Sequence, residues 1–264
     1  MTPKLSITIV NFNQKYFPRM CVESLRKSKV DFEYEIIFID NNSTDESISY
    51  LENADKQGLI KLIKSPKNLG YGRANNLAAK NAKGKYILIM NNDITVESDM
   101  LQRMVSYMED HSEIGILAPK LIYHSGHVQE SCRRFMKLSD LIAKRTPLRF
   151  IPPFKKRCDD YLMKDFNHDK TQEVDLITGA FLMMPKKVFD EIEGFDERYF
   201  LFMEDFDLCR KVWKKGYKVV YFPEVEAIHY HKRLSDGSIF GQLTKKVFWI
   251  HAVSAIKYFW KWSR

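Results

Sequence analysis

A chain of 264 residues with 45% hydrophobic and 13% aromatic content can bury a large core, which excludes a disordered polymer and suits one α/β domain or one domain with an appendage. Its formal net charge of +8 favours acidic partners such as nucleotide phosphates, anionic lipid or nucleic acid. Cys21, Cys132, Cys158 and Cys209 are scattered and form no C-x-x-C pair, which argues against a zinc site or a disulfide framework and fits a reducing compartment.

In chain order, the first 120 residues alternate between strand and helix patterns. Leu5–Phe12 reads as a strand and Tyr16–Lys27 as a helix. Tyr34–Asp40 is a second strand, followed by a helix over Thr44–Leu51. Leu59–Ile63 is a third strand, Gly72–Asn81 a helix, and Lys85–Met90 a fourth strand. This alternation predicts βαβ units and a parallel sheet, with ligands bound beyond the carboxyl ends of its strands. Asn11, Asp40 and Asn91-Asn92-Asp93 then share one rim. Met1–Val10 is too short and too broken for a signal peptide, and no run of about 18 apolar residues occurs, so a cytoplasmic protein is expected.

Ser131–Arg157 differs from what precedes it. It carries nine basic residues against one acid, Asp140, and contains Pro147, Pro152 and Pro153, so it reads as an irregular basic excursion. Order resumes over Val174–Met184, and Asp205 and Asp207 open a helix running to Lys215. Gln242–Arg264 is helical in pattern: Phe248, Trp249, Ala252, Ala255, Ile256, Phe259 and Trp260 share one side, with Lys246, Lys257, Lys261 and Arg264 opposite.

The polar stations each have a plain reading beside a chemical one. Asn91-Asn92-Asp93 can simply stop a strand, or Asp93 can hold a divalent cation. Asp40–Asp45 contains a helix N-cap, or Asp40 accepts hydrogen bonds from a nucleobase or ribose. Asn68-Leu69-Gly70-Tyr71-Gly72-Arg73 is a glycine turn, or a backbone cradle for phosphate with Arg73 adding charge; it is neither a P-loop nor a dinucleotide fingerprint. Glu204, Asp205 and Asp207 include a helix cap, but capping does not explain three acids crowded beside Phe202 and Met203.

Taken together and in this order, the Asp-Asn-x-Ser-x-Asp stretch, Asn-Leu-Gly-Tyr, the Asn-x-Asp strand end, Thr-Gly-Ala-Phe, Gly-Phe-Asp-Glu-Arg-Tyr-Phe and Glu-Asp-Phe-Asp-Leu-Cys resemble the family 2 glycosyltransferases with a GT-A fold, most closely their rhamnosyltransferase-like branch. The resemblance runs from Ser6 to about Ser235. It implies an α/β, Rossmann-like, mostly parallel sheet flanked by helices. The glycosyltransferase domain would span 1–235, with a nucleotide-sugar half at 1–120, an acceptor and catalytic half at 121–235 and a helical tail at 236–264.

The activity implied is inverting transfer of a sugar from a nucleotide diphosphate donor to a hydroxyl of a growing surface glycan such as O-antigen or capsule. The branch favours a dTDP-rhamnose donor, with uridine diphosphate sugars as the alternative. Asp205 would be the general base, and Glu204 would position acceptor or base. Asn11, Asn13, Asp40, Asn42, Asn68, Gly70, Arg73, Asn75 and Asn92 would serve the donor. Asp93 and His229 would bind Mg2+ or Mn2+, with His231 competing for the histidine role. The first two positions of the motif are Asn91 and Asn92, leaving one carboxylate, so the metal would arrive mostly with the donor.

The basic segment and the aromatic tail are either a solvated loop and a cap on the domain, or a surface for anionic lipid where a lipid-linked glycan acceptor is presented. The second reading makes the protein peripheral at the inner face of the cell membrane. No nucleic-acid motif is present. The rivals are a nucleotidyltransferase, for which Asn11-Phe12-Asn13 supplies no basic fingerprint, and a degenerate, non-catalytic member that binds nucleotide sugar or membrane.

Overall fold

The computed structural model describes residues 2–230 and 246–263; His231, the 235/236 boundary, the start of the tail and Arg264 lie outside them. The first half folds as strands β1 (Leu5–Asn11), β2 (Tyr34–Asp40), β3 (Lys61–Lys64) and β4 (Tyr86–Asn91), with helices α1 (Phe17–Arg26), α2 (Ser47–Lys56) and α3 (Tyr71–Asn81) between them. These strands pair in parallel in the order β3-β2-β1-β4, with Asn11 opposite Asp40 in the β1–β2 register.

The central strands are apolar on both faces because both faces are covered. Ile36 and Phe38 join a core formed with α1, α2 and α4 (Met100–Asp110), while Ile37 and Ile39 pack against Ala74 and Ala78 of α3.

The sheet is mixed beyond β4. Strand β10 (Phe181–Pro185) lies antiparallel between β4 and β6 (Ile114–Tyr123). Strand β11 (Lys218–His229) runs parallel to β6, and β5 (Ile94–Val96) caps the edge antiparallel to β11. Strand β8 (Gln172–Glu173) pairs with β11, and β7 (Cys132–Arg133) forms a separate ribbon with β9 (Leu176–Ile177). All four cysteines are free and buried.

Three local expectations are corrected. The helix expected at Thr44 begins at Ser47, because Asp45 Oδ1 accepts from the Ser47 amide and the preceding residues form a turn instead. The basic excursion is largely helical: α5 (Leu138–Arg145), a 3-10 turn (Pro147–Phe150) and α6 (Pro152–Leu162). Its prolines sit in the first turns of these helices, where a missing N–H costs nothing, so they start helices rather than break them.

The third correction concerns the tail, α9 (Lys246–Trp262), whose seven apolar residues do not act as one side. Ala255 is buried and Phe259 packs on the core, whereas Trp249, Ile256 and Trp260 face solvent. Lys261 also turns inward. A helix packed edge-on against a curved domain splits such an arc between core and solvent.

Candidate active site

At the carboxyl ends of β1 and β2, Asn11 Nδ2 faces Asp40 Oδ1 at 3.0 Å, Ser43 Oγ at 3.0 Å and Ser47 Oγ at 2.8 Å. Its Oδ1 accepts from Asn92 Nδ2 at 2.8 Å, tying β1 to β4. Asp40 Oδ2 accepts from the Ser43 amide, so both Asp40 oxygens are engaged and the residue is buried. Asn13, in the left-handed region at φ 51°, accepts from the Thr44 amide at 2.8 Å and remains exposed with Phe12 and Asn42. In this rim the buried amides of Asn11, Asn41 and Asn92 hold the loops together, and Asn13 and Asn42 are exposed.

Next along the rim, Asn68 Oδ1 accepts from the Gly70 amide, and Asn41 clasps the same loop through Leu69 N, Asn68 and the Gly70 carbonyl. Gly70 has φ +82°, and a Cβ there would lie 2.2 Å from the Phe200 carbonyl oxygen, which accepts the Tyr71 amide. This close approach joins the glycine turn to the segment that carries the acids. Asn75 is buried within hydrogen-bond reach of Thr8 and the Tyr71 carbonyl, and Arg73 is engaged with Glu197.

The acid corner opens α8 (Glu204–Lys214). Phe202 and Met203, immediately before it, both lie in the left-handed region at φ 68° and 67°. Such conformations cost non-glycine residues of order 1 kcal/mol or more each and persist where surroundings enforce them, often at functional sites. Asp205 reaches the Thr178-Gly179 turn: its Oδ2 accepts from the Gly179 amide at 2.9 Å and Oδ1 from the Phe206 amide at 2.9 Å. Tyr71 closes the corner by donating its hydroxyl to the Gly179 carbonyl at 2.6 Å.

The electrostatics of the corner are those of a site. Glu204 is 6% exposed, and its Oε2 is buried with no hydrogen-bond partner. Burial first, and then the Asp205 charge, push its carboxyl up to about 8. Burial also raises Asp205, against the opposing pull of the Gly179 and Phe206 amides. The Tyr71 phenol is raised by burial first and then by the charges of Glu204, Asp205 and Asp93. Asp207, expected in the same cluster, points the other way: it is fully buried and bound by Lys261 Nζ and Trp262 Nε1, each at 2.8 Å. It anchors α9.

Asp93 and His229 meet because β5 pairs with β11. Ile94 is opposite His229, and the Tyr230 amide donates to the Asp93 carbonyl. His229 Nε2 lies 3.2 Å from Asp93 Oδ1, and Nδ1 lies 2.7 Å from Gln129 Oε1. Since the Gln129 oxygen only accepts, Nδ1 carries a proton there, and Nε2 is the ring nitrogen turned toward Asp93.

The family model for glycosyl transferase family 2 matches residues 6–192 of this sequence. The chain belongs to that family. Among relatives, the rhamnosyltransferase WbbL of Escherichia coli is 28% identical over 232 residues, covering 85% of this chain and 82% of its own length. The O-antigen biosynthesis protein RfbC of Myxococcus xanthus is 29% identical over 233 residues, covering 87% of this chain but 17% of its own. Two of the first curated relatives are therefore much longer proteins, of which this chain spans 17% and 25%.

Among solved structures, GalNAc-T7 with UDP, GalNAc and Mn2+ superposes with a TM-score of 0.66 at 16% identity, over 88% of this chain and 44% of that one. Staphylococcus aureus TarS gives 0.61 at 17% identity, over 86% and 37%. The fold of this family 2 glycosyltransferase is GT-A.

In the glycosyltransferase the Asp93–His229 pair fits a divalent cation in part. An oxygen and an imidazole nitrogen bound at right angles to one cation at about 2.1 Å would stand about 3.0 Å apart. The Gln129 contact is the orienting bond that ligating histidines usually make. No group of three acidic, histidine or cysteine side chains able to hold a metal occurs among the described residues. Tyr71, Gly179, Asn41 and Gln129 were not singled out as site residues by sequence. Tyr71 and Gly179 lie in quoted motifs; Gln129 has no local signal.

Proposed function

We propose that this family 2 protein is an inverting glycosyltransferase that moves a sugar, rhamnose from dTDP-rhamnose being the favoured donor, onto a hydroxyl of a growing surface glycan. The observation that carries the reading is the acid corner, where a carboxylate gripped by the Gly179 amide sits beside a buried, partnerless Glu204 oxygen at the mouth of the sheet. Two adjacent buried carboxyls do not both ionise readily. With Glu204 protonated at neutral pH, Asp205 is the ionised member, because its oxygens accept two backbone amides.

Asp205 takes the proton of the acceptor hydroxyl as that oxygen bonds to the anomeric carbon. The bond from that carbon to the donor diphosphate breaks on the opposite face, which inverts the centre. Glu204 positions the acceptor. Asp93 and His229 would hold Mg2+ or Mn2+, and when bound the cation would neutralise charge on the departing diphosphate. Asn11, Asp40, Asn75 and Asn92 shape the donor rim, Asn13 and Asn42 line its exposed side toward the nucleotide, and Asn68, Gly70 and Arg73 serve the donor from the neighbouring turn. The acceptor is a glycan or lipid-linked glycan at an anionic membrane surface.

Thermal shifts with a panel of nucleoside diphosphates and nucleotide sugars, with and without Mg2+ or Mn2+, test donor binding. A metal-dependent rise with one nucleotide is expected, followed by transfer that Asp205→Asn abolishes. No shift with any nucleotide would move the protein to the non-catalytic, membrane-binding reading.

A further inference from the structure

Helix α9 has two apolar faces, one turned to the core and one turned to solvent. Inward, Ala255 and Tyr258 are buried, Ser254 Oγ donates to the Leu201 carbonyl at 2.9 Å, and Lys261 and Trp262 grip Asp207. Outward, Trp249, Val253, Ile256 and Trp260 are 58%, 47%, 68% and 57% exposed. Their spacing of four, three and four residues makes one straight stripe about 16 Å long.

The stripe continues past the helix at both ends. Ile256 and Trp260 share a groove of about 530 Å³ with Met136 and Leu138, and Ile142, one turn further along α5 from Leu138, is also exposed. Trp249 and Val253 share a second groove with Phe200, whose carbonyl accepts the Tyr71 amide beside the acid corner. Soluble monomers rarely expose so many large apolar side chains along one helix.

Charge selects the occupant. No acid occurs in α9, where Lys246 and Lys257 are exposed, and Ser131–Arg157 carries nine basic residues against Asp140, which is paired with Arg157. A second copy of this surface would bring like charges together, whereas an anionic bilayer complements them. Indole rings suit the boundary between headgroups and acyl chains, and no helix among the described residues is long and apolar enough to cross.

We propose that Trp249, Val253, Ile256 and Trp260, with Leu138 and Ile142 of α5, form a docking surface that lies in the headgroup region of an anionic bilayer. The proposal rests on the reading that the acceptor is membrane-borne. Because α8 carries Asp205 on one side and Asp207, the α9 anchor, on the other, docking fixes the catalytic corner relative to the lipid plane.

Co-sedimentation of the full chain with phosphatidylcholine vesicles, with and without phosphatidylglycerol, tests this without donor or acceptor. Binding is expected only with phosphatidylglycerol and should weaken in salt. Ile256→Asp should lower partitioning roughly tenfold. Lys155→Glu with Lys156→Glu should lower it less, and both variants should keep the wild-type melting temperature and nucleotide response. Val253→Ser carries the same test if Ile256→Asp does not fold. Equal binding to both vesicle types, or variants that bind like the wild type, overturns the docking surface and leaves the transferase reading intact. Light scattering that shows a dimer dissociated by Ile256→Asp, with vesicle binding unchanged, overturns it in favour of self-association. Firm, Ile256-dependent vesicle binding without nucleotide response would sink the transferase reading alone.

Discussion

The rim at the carboxyl ends of β1, β2 and β4 and the acid corner at the start of α8 are built in opposite ways. Along the rim, Asn11, Asp40, Asn41, Ser47 and Asn92 are buried, and each has its hydrogen-bond partners within the network. At the corner, Glu204 Oε2 and Thr178 Oγ1 are buried without partners, and two consecutive left-handed residues precede the helix. Buried polar groups are nearly always satisfied, so a local deficit calls for a ligand or a reaction, whereas saturation describes a scaffold. The same residue types, Asn and Asp at strand or helix ends, therefore do different work depending on what already occupies their lone pairs.

The largest effect should come from Asp205→Asn. Loss of a general base is expected to lower transfer about 10²–10⁴-fold while nucleotide-induced thermal shifts persist; undiminished turnover would remove Asp205 from that role. Asp93→Ala should abolish the metal dependence of donor binding, and Gln129→Leu should weaken it about 10–100-fold by releasing His229. Titration calorimetry with and without Mn2+ reads both, and affinities indifferent to metal would contradict the pairing.

On the rim the cost should fall on stability instead. Asn11→Ala strands partners on β2, on the turn after it and beyond β4, so about 2 kcal/mol, or roughly 6 °C in melting temperature, should be lost. A rim variant as stable as the parent but unable to bind nucleotide would erase the contrast.

The smallest effect is a pH dependence at the corner. Glu204 is raised above its unfolded value, so the folded state binds its proton more tightly. Its contribution to stability is complete below the ordinary carboxylate range and is lost as pH rises through about 8. Glu204→Gln should flatten the fall in melting temperature between those limits and be the more stable protein at the alkaline end. A wild-type curve rising over that interval would show that Glu204 is ionised throughout.

By itself the sequence determined the βαβ start, the placing of Asn11 and Asp40 on one rim, and the crowding of acids at the start of one helix. Those depend on hydrophobic periodicity and on short motifs, which are local. It did not determine the helical character of 131–157, because proline reads alike whether it breaks a helix or begins one. Nor did it separate Asp207 from Glu204 and Asp205: neighbours on a helix point in different directions, and only the docking of α9 made one of them an anchor. Tertiary structure alone joined Asp93 to His229 and Gln129 through the antiparallel edge strand, and it alone divided the aromatic tail into an inward and an outward face. These are contacts between residues far apart in sequence, set by which strand lies beside which and which face meets the core. A one-dimensional pattern carries no information on that choice.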